Sequence, residues 1–196
     1  DWLVAKAHGD LQNSTPVLSA MQESASIREL KPRNPNLDSL LTSAVTNGTA
    51  AQQIHALHLI GYWQLLDLRE LVITVIFNTR PSPEVRIAAL RSTSHFPKIA
   101  EDRIDDLSKL TTLPGDIRIR HAALDALTAM NVGRAAQIAA VALIAAGPSD
   151  PLEPYLIPFL TRSDGALALS SSLQKTNLSL GLRARIRGAL GAAGLH

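Results

Sequence analysis

Apolar residues recur at spacings of three and four along most of the chain, which is the period of an amphipathic helix. The first clear stretch contains Leu37, Leu40, Leu41, Ala44 and Val45. The same spacing predicts ten helices, which begin near residues 37, 50, 67, 83, 100, 117, 134, 151, 165 and 181. Thr15-Pro16 predicts an earlier helix with Thr15 as its N-cap, and the break at Pro32 and Pro35 separates it from the rest.

One short motif occurs twice, as Val85-Arg86-Ile87-Ala88-Ala89-Leu90 and again 34 residues later as Ile119-Arg120-His121-Ala122-Ala123-Leu124. The second helices of successive pairs start near residues 50, 83, 117, 151 and 181, so the chain repeats every 33 to 34 residues with a shorter last step. Such a period is typical of stacked helix pairs. We therefore predict an all-α, right-handed superhelix of about five pairs over residues 36–196. Residues 1–35 are expected to be capping helices or a linker.

Composition supports close helix packing and narrows the possible chemistry. Hydrophobic residues make up 46% of the chain and aromatic residues 4%, so the core must be built from Ala, Leu, Ile and Val. The 19 Lys and Arg nearly balance the 17 Asp and Glu, which gives no basic field for nucleic acid. The absence of cysteine excludes disulfides, Cys-ligated zinc, iron–sulfur clusters and a thiol nucleophile. No cofactor is predicted.

No apolar run is long enough to span a bilayer. The nearest, residues 135–146, is alanine-rich and is interpreted as a buried helix. Because the chain begins at Asp1, we expect it to be a fragment of a larger protein.

A turn followed by Val/Ile-Arg-x-Ala-Ala at the start of a second helix resembles the short bacterial HEAT-like repeat, an armadillo-type fold. In that family the alanines allow tight contact between helices, and the arginine bonds to turn groups of an adjacent repeat. The resemblance implies that Arg86 and Arg120 are such ladder arginines.

A narrower resemblance covers roughly residues 37–160. The segment 54–61, the pair that carries Arg86, and Asp150-Pro151 with Pro154 are similar to the HEAT region of large planctomycete-type proteins. Those proteins combine a sugar-dehydrogenase-like propeller, HEAT repeats and a cytochrome c module. The resemblance points to an extracytoplasmic location. Because this chain has no Cys-x-x-Cys-His, neither haem nor dehydrogenase activity transfers to it.

Four groups of polar residues are candidate sites, and each has a simpler structural interpretation. They are His55 with His58, His121, the acidic run 101–106, and the basic run of Lys175, Arg183, Arg185 and Arg187. The two histidines lack a third metal ligand. The acidic run lacks the spacing and the glycine of a calcium loop. The arginines, spaced by two, spread around a helix instead of lining one face.

The sequence therefore predicts a non-enzymatic scaffold that binds a protein partner or spaces flanking domains of the same polypeptide. Its candidate anchors, provided that they are exposed, are Tyr62, Trp63, Tyr155 and Phe159. Trp63 is expected just past a helix end, where a turn would display it. Two alternatives remain open: a nucleic-acid-binding protein like the alkylpurine-DNA glycosylases, and a bilin-lyase-like HEAT protein with a polar pocket.

Overall fold

The computed structural model describes residues 2–28, 31–96, 101–112 and 115–192. These residues form twelve α-helices and one 3-10 turn without a strand, so the predicted all-α class is confirmed. The helices are α1 (Trp2–Gly9), α2 (Thr15–Arg28), α3 (Leu37–Asn47), α4 (Ala50–Tyr62), α5 (Arg69–Phe77), α6 (Pro83–Thr93), α7 (Glu101–Leu110), α8 (Ile117–Met130), α9 (Val132–Ala145), α10 (Glu153–Leu160), α11 (Gly165–Gln174) and α12 (Leu180–Ala192).

Helix starts follow local side-chain chemistry. The Thr49 hydroxyl accepts a hydrogen bond from the backbone N–H of Gln52, and the Gln52 side chain accepts one from the Thr49 N–H at 2.8 Å. This capping box satisfies two N–H groups that the first turn of α4 would leave unpaired. Ser82 and Asp116 are simpler N-caps, since the Ser82 side chain accepts the N–H of Val85 in α6 and the Asp116 side chain accepts that of Arg118 in α8. All three starts lie where the turn residues predict them.

Several predicted boundaries differ by a few residues. Helix α2 already includes Thr15, and the Ser14 carbonyl accepts the first helical bond at 2.9 Å, so the start lies one residue earlier than predicted. The helix expected from Asp67 begins as a 3-10 turn, Leu66–Leu68, and becomes α-helical at Arg69. The helix start predicted near residue 100 lies outside the described residues.

Residues Asp1–Lys98 form one compact unit. Helix α4 is central in it and packs against α2, α3 and α6, while α1 contacts α2 and α3. The α4–α6 contact is close at Gly61, where an added Cβ would lie 2.9 Å from the Cα of Ser92. Across the same contact the Ser92 hydroxyl donates to the Leu57 carbonyl at 2.6 Å. Small residues thus let the two backbones approach. The domain boundary predicted at residue 35 stays a prediction.

Residues Ile99–His196 form the second compact unit. Helix α9 packs against α8, α10 and α11, and α10 also contacts α8 and α12. Four alanines on one side of α9 are buried, namely Ala135, Ala136, Ala139 and Ala140. Leu107, Leu124 and Phe159 are among the largest buried side chains that the structure describes in this unit. Aliphatic residues and alanines therefore build the core, as the composition predicts.

A candidate binding groove in the second unit

A half-open groove of about 670 Å³ lies along α9 in the second unit. We call it the α9 groove, and define it by the helix face that carries Arg134, Gln137, Ile138, Val141, Ala142 and Ala145, with Ile117 and Arg120 from α8 and Asp150, Pro151 and Tyr155 beyond α9. Thr111, Thr112 and Ala146 complete its lining. Many of these side chains are aliphatic, which is typical of ligand-binding clefts of this size.

The groove exists because α9 is apolar on two sides. Its alanine side is covered by neighbouring helices, whereas Val141 is 63% exposed and Ile144 is 47% exposed on the other side. The groove residues of α9 run from its first turn to its last. At 1.5 Å per residue, the steps from Arg134 to Ala145 make the groove about 16 Å long.

One end of the groove is a fixed turn. The backbone N–H of Gly147 donates to the Asp150 carboxylate at 2.7 Å, and the Asp150 carbonyl accepts from the Arg185 guanidinium at 2.7 Å. At the same end, the ring of Tyr155 meets the ring of His121 edge to face, with centroids 5.1 Å apart. This contact joins the start of α8 to α10, so Arg120, which precedes His121, lies at the Tyr155 end of the groove.

The charges in the groove are not equally neutralised. Arg134 forms an ion pair with Asp105 at 3.5 Å, and the Asp150 carboxylate is occupied by its own loop. The Nε of Arg120 is buried and has no hydrogen-bond partner, and no ion pair of Arg120 occurs among the described residues. Since arginine stays charged at all accessible pH values, Arg120 is a cation without an ion-pair partner among the described residues, and the negatively charged Asp150 lines the same groove.

The two arginines of the repeated motif differ in their contacts. The Nε of Arg86 donates to the carbonyl of Ile76, in the last turn of α5, at 2.9 Å. Arg120 occupies the same place in the motif but lines the α9 groove instead. Whether either arginine acts as a ladder residue between repeats stays a prediction.

Of the four predicted anchors, two are buried. Trp63 is 9% exposed and Phe159 is fully buried, so the expectation that a turn displays Trp63 is wrong. The reason is the backbone after α4, which folds back as the N–H of Leu65 bonds to the carbonyl of Ile60 at 3.0 Å. Tyr155 is half-buried and lines the groove. Tyr62 is half-buried in the first unit, where its ring lies 5.1 Å from that of His95.

The other polar groups form local contacts. His55 Nδ1 donates to the side-chain oxygen of Gln22 at 2.7 Å, which ties α4 to α2. Burial lowers the pKa of His55 and of His121, with Arg120 as a second cause for His121. From the acidic run, Asp106 binds Lys109 at 2.8 Å. Among the described residues, no group of three or more His, Asp or Glu could hold a metal ion.

Sequence reasoning missed the aliphatic lining, above all Val141. A signal for it is present in the run 135–146, which is apolar over more than one helix face. The sequence alone favours a wholly buried helix there, whereas the structure covers only part of its circumference. Within the described residues no helix combines the length and the apolar character that crossing a membrane requires.

The chain matches no protein-family model, and comparisons with curated proteins and with solved structures also give no significant match. The geometry of the groove is therefore the basis for assigning a function.

Proposed function

We propose that the chain is a non-enzymatic helical-repeat module of the HEAT or armadillo type, which binds a protein partner or a flanking domain through the α9 groove. Successive helix pairs that stack in a right-handed superhelix are part of this proposal. The packing within each unit supports it, because α4 contacts both α2 and α6, and α10 contacts both α8 and α12. Alternate helices thus pack as the second helices of neighbouring repeats do.

The observation that carries the proposal is the exposed aliphatic lining of the groove. Aliphatic side chains that line a concave cleft are typical of a binding site. Val141 of α9 and Ile117 of α8 line the groove and are 63% and 42% exposed. A partner that covers them would gain roughly 25 cal/mol for each Å² of apolar surface removed from water.

The dimensions of the groove favour an extended chain. An α-helix with its side chains is about 10–12 Å wide. Only one face of such a helix could enter a half-open groove of about 670 Å³. About five residues of extended chain span about 16 Å at roughly 3.3 Å per residue and fit the length.

A matched pair of substitutions tests the proposal. Val141→Lys places a charge in the groove, while Leu167→Lys changes a comparably exposed leucine, 72% exposed on α11, that does not line it. Ligands are first selected from a displayed library of random heptapeptides against the unmodified protein. Each selected peptide is then measured by fluorescence anisotropy with both variants.

We expect Val141→Lys to weaken binding about ten-fold or more, since a peptide that covers this position would have to remove water from the lysine ammonium, and ten-fold corresponds to about 1.4 kcal/mol. Leu167→Lys should leave the affinity within about two-fold. Selected peptides that bind both variants equally well would show that the groove is not the binding surface. Binding of duplex DNA at physiological salt, in the absence of peptide binding, would instead support the nucleic-acid alternative.

A further inference from the structure

We propose that Arg120 is the residue of the α9 groove that recognises an anion, and that its ligand is the carboxylate of an Asp or Glu in an extended peptide segment. The aliphatic side chains of the same segment would lie along α9. This inference rests on the proposed function and adds the chemical class of the partner. It starts from a difference between the two copies of the repeated motif: the Nε of Arg86 has a backbone acceptor, and that of Arg120 has none.

A buried guanidinium N–H without an acceptor is unfavourable, because it has lost its water and gained no partner. The partly exposed side chain of Arg120 nevertheless lines the groove, where a bound ligand could accept hydrogen bonds from its guanidinium group. A carboxylate suits this position, since its two oxygens can accept two parallel hydrogen bonds from one guanidinium.

The charges near Arg120 leave one cation in excess. Asp105 forms an ion pair with Arg134 at the far end of the groove. At the Tyr155 end the Asp150 carboxylate accepts the Gly147 N–H and keeps its negative charge, and the Arg185 guanidinium bonds to the Asp150 carbonyl. Two guanidinium groups, those of Arg120 and Arg185, thus lie near one carboxylate, so this end of the groove fits one further carboxylate. It does not fit a nucleic-acid backbone, whose binding requires several basic residues on one surface.

The position of Arg120 also predicts the spacing of the ligand. Arg120 lies at the Tyr155 end, so the acidic residue binds there and the rest of the segment follows α9 towards Arg134. In an extended chain every second side chain points the same way. We therefore expect aliphatic residues two and four positions away from the acidic residue, both in the same direction along the peptide sequence.

The selected peptides provide the probes for the test. Each enriched sequence is synthesised with a fluorescein label, together with a twin in which Asp is replaced by Asn or Glu by Gln. Binding is measured with the unmodified protein, with Arg120→Met and with Arg86→Met. The last is a matched control, because it removes the equivalent arginine from the first unit, where Arg86 bonds to Ile76 and does not line the groove.

We expect enrichment of an acidic residue at the stated spacing. The amide twin should bind the unmodified protein about 10- to 100-fold more weakly. Arg120→Met should reduce the affinity for the acidic peptide by a similar factor and leave the affinity for the twin unchanged. Arg86→Met should preserve the affinity while it lowers the stability of the first unit. Because the twins are compared on the unmodified protein, the test does not depend on the folding of any variant.

Equal binding of acidic and amide peptides, or no effect of Arg120→Met, would overturn the inference. If Val141→Lys still abolished binding in that case, the groove would remain the interaction site and only the recognition of an anion would be wrong. Dodecanoate is the third probe. If it bound in an Arg120-dependent manner while no selected peptide did, the ligand would be a small amphiphile and the peptide assignment would fail.

Discussion

The contact between α4 and α6 at Gly61 makes a sharp prediction for Gly61→Ala, because two effects of opposite sign compete. Alanine is favoured over glycine inside a helix by about 0.5–1 kcal/mol. Its Cβ, however, would lie 2.9 Å from the Cα of Ser92 and 3.1 Å from the Ser92 carbonyl oxygen. These are backbone atoms, so one helix must move, and such overpacking costs about 1–3 kcal/mol. We expect a net loss of about 1–2 kcal/mol.

Gly188→Ala is the matched control. Gly188 lies inside α12, and no atom outside its own helix backbone lies within 4 Å of the position that its Cβ would occupy. Only the helix-propensity effect remains there, so the same substitution should stabilise the second unit by about 0.5–1 kcal/mol. The two glycines are predicted to respond with opposite signs.

Urea unfolding measures both effects. In a Trp2→Phe background the fluorescence of Trp63 reports on the first unit, because Trp63 is buried just beyond Gly61. Circular dichroism follows the Gly188 variant. With a slope of about 2 kcal/mol per molar urea, Gly61→Ala should lower the midpoint by about 0.5–1 M. A midpoint raised by Gly61→Ala, as by Gly188→Ala, would refute the close packing of α4 on α6.

Two further predictions concern the first unit, and the same fluorescence assay checks both. Thr49→Ala should lower the free energy of unfolding by about 1 kcal/mol. Gln52→Ala should lower it by about 2–3 kcal/mol, because the Gln52 side chain also donates to a carbonyl in the loop before α2. Equal losses would contradict this second role of Gln52. Burial, and then Arg91, lower the pKa of His58, so the unfolded chain binds its proton more readily than the folded one. The first unit should therefore lose stability as the pH falls through about 6.5, and His58→Gln should flatten this dependence; an unchanged slope would contradict the assignment.

The helices could be predicted from the sequence because their starts are local. Ser82 with Pro83, and Thr49 with Gln52, satisfy N–H groups of their own helix, and this chemistry is visible in a few consecutive residues. The repeat of about 34 residues likewise places the starts of α6 and α8. Fold class and most boundaries follow from such short-range information.

The groove and the burial of Trp63 could not be predicted, because both depend on packing between elements. A helical period shows that α9 is apolar, but neighbouring helices decide which of its faces is covered. Val141 and Ala140 are adjacent in sequence and both apolar, yet one is exposed and the other is buried. For Trp63, the decisive feature is the reversal of the backbone at Gln64, which has a φ of 49°. A turn that exposes its side chains and a turn that buries them can have the same composition, so the sequence does not distinguish them.

The two motif arginines show that equivalent positions of the repeated motif can make different contacts. Arg86 and Arg120 are each the fourth residue of their helix, but residues 78–82 precede α6 and residues 111–116 precede α8. The second linker is thus one residue longer. The Nε of Arg86 bonds to the carbonyl of Ile76, whereas no acceptor among the described residues bonds to the Nε of Arg120. The packing around each copy, which the motif itself does not encode, therefore decides whether the arginine is satisfied within the chain or, as we propose, by a ligand.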